Sequence, residues 1–366
     1  MAAESSQAAI VDYSEIVNNP LESPKRMSDS PITCTLDLDA PGKRAGHLRL
    51  PRSSNQSGWS TQWIPITCVA HGDGPTALVL GGVHGDEPEG QIAALNLARE
   101  LRPEQVSGRV IVIPCLSLEA SRAYTRLWPS GANLNRSFPG SATGSPDQQL
   151  AHFLSTELFP LSDVVVDIHS GGRTGLCLPW SEMHWVDDPT QRGEMVEGML
   201  AWNTDWCCVY IDIAGTGLLV GEAERQGKIV VSTELGGGGH VTAAIHRLAR
   251  SGLANVLRRF GVLAGEVETR ESLGLAPQTL LMATDLDNYL LASVSGIFET
   301  LVDLGQRVHE GDVVGRVHSL ERPELEPEPI AARNNGVVCA VRAIATTEQG
   351  DNIVVVAREV DRSELE

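Results

Sequence analysis

The stretch Thr76-Ala-Leu-Val-Leu-Gly-Gly-Val-His-Gly-Asp-Glu87 decides how the chain is read. The aliphatic run Ala77 to Leu80 predicts a buried strand, the glycines at 81 and 82 end it, and His84 and Glu87 follow at once. Charged side chains delivered at the carboxyl end of a strand point to an open α/β sheet, which binds ligands there. Similar runs recur at Val110 to Ile113, Val164 to Ile168, Cys207 to Ile211 and Ile229 to Val231. Between them, Ile92, Leu95, Leu97 and Leu101 predict one helix, and Leu150, Phe153 and Leu154 a second. Val241, Ala244, Ile245, Leu248, Val256, Leu257 and Phe260 then fall near helical spacing. The expected fold is α/β, a mixed and largely parallel sheet flanked by helices.

This α/β domain is expected over residues 31–264, after a disordered or loosely docked tail over 1–30, rich in Ser, Glu, Asn and Pro. Residues 265–366 read as a small all-β domain, with short strands at Ile297 to Val302, Val313 to Val317, Val337 to Val341 and Ile353 to Val356 between glycine turns. The spacing Gly296-x8-Gly305-x5-Gly311-Asp312 is similar to the turns of biotinyl and lipoyl barrels, but no lysine occupies the hairpin position that a carrier would modify. The domain is therefore expected to be structural or to shape the active site.

Composition narrows the partners. With 366 residues and a net charge of -19, the surface repels phosphates, which argues against nucleic acid and anionic membranes and for a small molecule. No window approaches the roughly 20 apolar residues of a membrane span, and the start lacks the pattern of a secretory signal, so the expectation is cytoplasmic. Seven cysteines without a Cys-x-x-Cys pair read as reduced, buried thiols. A homo-oligomer stays open.

His84 and Glu87 are three residues apart, so a helix starting there would aim both side chains at one ion. His318 and Glu321 repeat that spacing beside a Pro/Glu-rich loop and read as solvated surface. Position separates the two pairs: only the first ends a buried strand. Asp163-Val-Val-Val-Asp-Ile-His-Ser-Gly-Gly172 adds His169 at another strand end, completing a two-histidine, one-glutamate zinc set with a fourth position open. Asp167, two residues earlier on the same face, is placed to orient His169, and the glycines after it read as room for a ligand. Glu234, between Val230-Val231-Ser-Thr and four glycines, is a candidate general base. Asn135 and Arg136, within Asn133-Leu-Asn-Arg-Ser-Phe-Pro-Gly140, suit a bidentate grip on a carboxylate, although the segment also reads as a capped turn.

Taken in order, these motifs resemble the succinylglutamate desuccinylase and aspartoacylase family, relatives of the carboxypeptidase A type zinc peptidases, over roughly Pro75 to Leu263. Within it they are most similar to the N-α-acetyl-L-2,4-diaminobutyrate deacetylases of ectoine breakdown, a likeness that Gly46-His-Leu-Arg-Leu-Pro51 extends. The resemblance implies one zinc ion per chain on His84, Glu87 and His169, Glu234 as base and proton shuttle, and Asn135 with Arg136 as the carboxylate clamp. It also implies an arginine on the carbonyl oxygen, for which Arg126 matches best and Arg122 is the rival. The implied activity is hydrolytic removal of an acetyl group from an N-acylated amino acid. Succinylglutamate desuccinylase, aspartoacylase and carboxypeptidase activity are the alternatives. A substrate with extra carboxylates needs more cations than Leu176 to Lys228 offers, since that segment holds only Arg192, Arg225 and Lys228. Asp212 and Glu222 are candidates for recognising a side-chain amine.

Overall fold

The structure, a computed structural model, describes residues 30–55, 57–211 and 215–365. The expected tail, Ser30 excepted, and Asp212 lie outside the described residues. In chain order the strands are β1 Thr33–Cys34, β2 Gly42–Ser54, β3 Ser57–His71, β4 Thr76–Gly81, β5 Gly108–Ile113, β6 Val164–His169, β7 Gly175–Cys177, β8 Trp180–His184, β9 Trp206–Tyr210, β10 Ile229–Glu234 and β11 Thr279–Ala283. They continue as β12 Tyr289–Leu291, β13 Gly296–Thr300, β14 Arg307–Val308, β15 Val313–His318, β16 Glu328–Ala331, β17 Gly336–Arg342, β18 Thr346–Thr347 and β19 Asn352–Val360.

One mixed sheet runs in the order β1-β2-β3-β5-β4-β6-β10-β8-β9-β11-β19-β17-β14, with β12 paired to β19 and β7 to β17. Its centre, β5-β4-β6-β10, is parallel, and β8 then joins β10 antiparallel. Every residue of β4 and β6 is buried, as a strand covered on both faces requires.

Helix Pro88–Glu100 packs Ala93 and Ala94 on one face of this centre, with Leu253 and Val256 of helix Ala243–Arg259, against Val79, Val110, Val166 and Val231. Helix Pro189–Ala201 lies on that face too, its Gly198 against Val231. On the opposite face Leu150 and Phe153 of helix Pro146–Phe153, and Leu219 and Ala223 of helix Leu219–Arg225, meet Leu78, Ile111, Val165 and Val230. Prolines at the first positions of three helices and the Asp188 cap on the amides of Thr190 and Gln191 set where these helices begin.

Two features depart from the expected pattern. The hairpin of β2 and β3 was not foreseen, because its half-exposed alternation breaks up the apolar runs that mark strands. The carboxyl-terminal strands also divide their work. β13, β15, β16 and β18 form a separate antiparallel sheet, whereas β11 pairs in parallel with β9 and is followed outward by β19 and β17. Through β17 this region also supports β7, and Leu176 of β7 bridges to Gly237, just beyond Glu234.

Candidate metal centre and active site

The carboxyl ends of β4, β6 and β10 lie side by side, so the segments that follow them meet at one place. His84 and Glu87 come from the turn after β4. No helix begins at His84: Glu87 is the residue before helix Pro88–Glu100, and the turn brings the two together. Leu116 N donates to Gly81 O at 3.0 Å and Ser117 Oγ to Val83 O at 2.7 Å, which pins that turn. A Cβ on Gly90 would stand 2.2 Å from Ile168 O, so only glycine lets the helix press on β6 and bring Glu87 to His169.

His84 Nδ1 is 2.7 Å from Glu87 Oε1, His169 Nδ1 is 2.7 Å from Glu87 Oε2, and donor atoms of the three residues lie within 4.8 Å of one another. All three are buried. His169 Nε2 is 2.9 Å from Asp167 Oδ2, so both of its ring nitrogens face carboxylates. Burial opposes the charged form of His169, but Asp167 and Glu87 outweigh it and raise its pKa well above the ordinary range. Burial likewise resists ionisation of Glu87, yet His84 and His169 hold its carboxyl well below the usual range. Desolvation lowers the pKa of His84, which favours a neutral imidazole with a lone pair to share.

This donor set fits a divalent cation. Two imidazole nitrogens and a carboxylate converge, and the carboxylate is charged at neutral pH. A cation replacing the proton between His169 and Glu87 would leave Asp167 holding the other ring N–H and so fixing the tautomer.

Glu234 lies opposite His169 in the β6–β10 register. Its Oε2 is buried and without a hydrogen-bond partner among the described residues. Burial, then the charges of Glu182 and Glu87, push its carboxyl well above the ordinary range. The glycines after it close over those that follow His169, which therefore are not room for a ligand. Gly236 to Gly239 all have positive φ, and a Cβ on Gly237 would stand 2.4 Å from Gly175 O and 2.8 Å from Gly171 Cα. The glycines after His169 and Glu234 pack on each other.

Arg126, with its side chain 43% exposed, brings Nη1 to 3.2 Å from Glu87 Oε1 and 3.3 Å from His84 Nδ1. Arg122 makes neither contact. Asn135 is buried and its Oδ1 accepts from Leu219 N at 2.8 Å, so its oxygen seats the helix Leu219–Arg225 and its NH2 is the group free to donate. Arg136 is exposed, with Nη1 donating to Asn135 O at 2.5 Å. The capped turn is present as well: Asn133 Oδ1 accepts from Asn135 N at 2.9 Å. The His318 pair is surface, with His318 Nε2 2.9 Å from Glu299 on the next strand and Glu321 exposed. Glu222, offered for amine recognition, is already held by Arg225 at 2.7 and 2.8 Å.

Sequence reading missed Glu182, His184, Tyr210 and Glu224, which gather beside this site. Period-two alternation in Trp180-Ser-Glu-Met-His184 was the available signal that Glu182 and His184 share a face. Of the cations in that segment, Arg225 is taken by Glu222 and Arg192 stacks 4.4 Å over Trp185 while donating to Val186 O and Leu365 O. The seven cysteines are free thiols, six of them buried, and no helix among the described residues is long and apolar enough to cross a membrane.

Known proteins resemble this chain over most of its length. The succinylglutamate desuccinylase/aspartoacylase catalytic domain matches residues 73–260. The chain is 39% identical over 339 residues, 92% of its own length and 98% of the relative's, to an N-α-acetyl-L-2,4-diaminobutyric acid deacetylase of Halomonas elongata. A product-bound structure of the ectoine utilization protein EutE (DoeB) of Ruegeria pomeroyi is 36% identical with a TM-score of 0.85, covering 90% of this chain and 99% of that one. A succinylglutamate desuccinylase/aspartoacylase of Rhodobacter sphaeroides is 38% identical with a TM-score of 0.86, covering 91% and 100%. On this footing the chain belongs to the succinylglutamate desuccinylase/aspartoacylase family.

Proposed function

We propose that this protein removes the acetyl group from N-α-acetyl-L-2,4-diaminobutyrate in ectoine breakdown, using one zinc ion per chain on His84, Glu87 and His169. The convergence of those three buried donors beside Glu234, in a chain so similar to the Halomonas deacetylase, supports this reading most strongly. Bound zinc supplies Lewis acidity, which polarises the acyl carbonyl and lowers the pKa of water.

The chain's own residues do the rest. Glu234 takes a proton from the attacking water and returns it to the departing amine nitrogen. Its carboxyl is raised by burial and then by the charges of Glu182 and Glu87, which favours holding the proton it takes, and a cation held at the triad would oppose that rise. Arg126, already beside the triad, donates to the carbonyl oxygen as negative charge gathers there. Arg136 and the NH2 of Asn135 hold the amino-acid carboxylate, so their contribution is position. Asp167 keeps His169 in one tautomer and orientation. The cytoplasm is the proposed setting, supported by seven unpaired thiols.

The test is an assay of the zinc-loaded protein with N-α-acetyl-L-2,4-diaminobutyrate, N-acetylaspartate, N-succinylglutamate and a blocked dipeptide at equal concentration. The first should be hydrolysed fastest, and preference for either substrate with extra carboxylates would sink the reading. Glu234→Gln should lose about 10²–10⁴ in kcat with its zinc content unchanged.

A further inference from the structure

On the face of the sheet that carries His169 and Glu234 lies a second group of ionisable side chains, of which only Glu182, through its charge on Glu234, bears on the chemistry above. A cavity of about 560 Å3 is bordered by Phe138, Leu218, His184, Tyr210 and Glu224. It begins where the carboxylate clamp ends: Phe138 follows Arg136 by two residues, and Leu218 precedes the Leu219 amide that Asn135 holds. Glu224, from helix Leu219–Arg225, meets His184 from β8, with Oε2 2.9 Å from the imidazole Nδ1, and the Tyr210 ring centre is 4.4 Å from that of His184.

The side chain of Glu224 is only 8% exposed, and its other oxygen, Oε1, is buried without a hydrogen-bond partner among the described residues. Glu182, 4% exposed, is two residues from His184 on the same face of β8, with Trp180 Nε1 donating to Oε2 at 2.6 Å and Ser232 Oγ to Oε1 at 3.3 Å. Burial and then the charges of Glu182, Glu224 and Glu234 raise the pKa of Tyr210, as expected when these four groups surround one space. Glu182 faces Ser232 in the β8–β10 register, one row in from Glu234, about 7 Å along the strands.

Apart from His184, no group that can carry positive charge is paired within this cluster among the described residues. Among the described residues no lysine or arginine pairs with Glu182 or Glu224, and Arg225 of the same helix is bound to Glu222. Two desolvated carboxylates, fixed mainly by neutral donors, are unfavourable unless a positive charge joins them. We propose that this cavity receives the substrate's side chain and that Glu224 and Glu182 bind a primary ammonium group at its end. The proposal rests on the amidohydrolase reading above. Phe138, Leu218 and the Tyr210 ring cover a short alkyl stem, and the two carboxylates repel a side chain that ends in an acid. The substrate class is thus an N-acylated diamino acid.

The test compares kcat/KM for N-α-acetyl-L-2,4-diaminobutyrate and N-acetyl-L-norvaline, which keeps the side-chain length and replaces the ammonium by a methyl. The wild-type protein should favour the first by at least about 100-fold, because a site built to hydrogen-bond a group rejects the analogue lacking it. Glu224→Gln should lower kcat/KM for the diaminobutyrate compound by about 10–100-fold, mostly through KM, and leave N-acetylnorvaline within about threefold, whereas Glu182→Gln, whose charge also acts on Glu234, should narrow the ratio of the two substrates by about 10–100-fold. A parallel fall for both substrates in both variants overturns the proposal, as does a wild-type protein that does not discriminate. Circular dichroism melting reports whether each variant folds. Should one unfold, the other decides, together with competition by free L-2,4-diaminobutyrate and L-norvaline on the wild-type protein, where equal inhibition also overturns the pocket. Failure of the underlying reading looks different, since the wild-type protein would then hydrolyse neither acetyl compound.

Discussion

His169 and His184 stand on the same sheet, each with Nδ1 against a glutamate, at 2.7 and 2.9 Å. Their surroundings make them different devices. His169 is gripped from its other side by Asp167 and joined by His84, so donor atoms of three residues crowd within 4.8 Å. That closeness suits a bare divalent ion, which takes short bonds from several lone pairs at once. His184 has no second imidazole beside it among the described residues, and with Glu224 it borders a cavity wide enough for an alkyl stem, while Glu182 lies two residues away on β8. Similar residue types, spaced more loosely, suit an organic cation. What distinguishes the sites is how many donors converge and what holds the far nitrogen.

The largest effect that would break this contrast is loss of metal from the wrong site. With zinc held on the triad as proposed, Glu87→Ala should abolish zinc retention and lower activity by at least about 10³, since such an ion would be the main stabiliser of transition-state charge. Glu224→Gln should keep a full complement of zinc by elemental analysis after gel filtration. A zinc-poor Glu224→Gln protein would show that the two regions are one site. The next effect is subtler. Asp167→Asn leaves every proposed ligand in place but weakens the grip on His169, and zinc affinity should fall about 10–100-fold in a chelator competition. An unchanged affinity would mean that burial alone orients the ring.

The two regions were not equally legible in the sequence. His84 and Glu87 are three residues apart, and Asp167 and His169 two, so the chain writes each half of the first site as a local word next to a buried aliphatic run. Glu234 was readable for the same reason, at the end of Ile229 to Val231. His184 and Glu224 are separated by 40 residues and meet only because helix Leu219–Arg225 crosses the face of β8 and β10. The antiparallel entry of β8 after β10 carried no signal either, since Trp180-Ser-Glu-Met-His184 has no aliphatic run. The glycines misled in one respect. Their presence was clear, but whether Gly171 faces a ligand or Gly237 depends on a contact between chain segments more than 60 residues apart. Arg126 and Arg122, four residues apart, could be separated only by distance to Glu87.

The smallest effect concerns what the acidic region costs the fold. Burial, only partly offset by the Trp180 hydrogen bond, raises the carboxyl of Glu182 above its ordinary range. A carboxyl raised on folding contributes stability fully below its unfolded value near 4.5, and that contribution is lost as pH rises through the folded value. Above that range the folded protein carries a desolvated charge that the unfolded chain does not. Glu182→Gln removes the charge, keeps an oxygen for the Trp180 N–H and offers an NH2 to Ser232 Oγ. The variant should therefore melt a few degrees above the wild-type protein at pH 8, with a smaller advantage at pH 5, the usual exchange of function for stability at a site built to bind. Binding a diamine should reverse the order at pH 8, because an ammonium compensates two carboxylates in the wild-type protein and only Glu224 in the variant. A Glu182→Gln protein less stable at pH 8 than at pH 5, relative to wild type, would show that this carboxylate already has its counter-charge within the fold. The ammonium would then have to be sought elsewhere in the cavity.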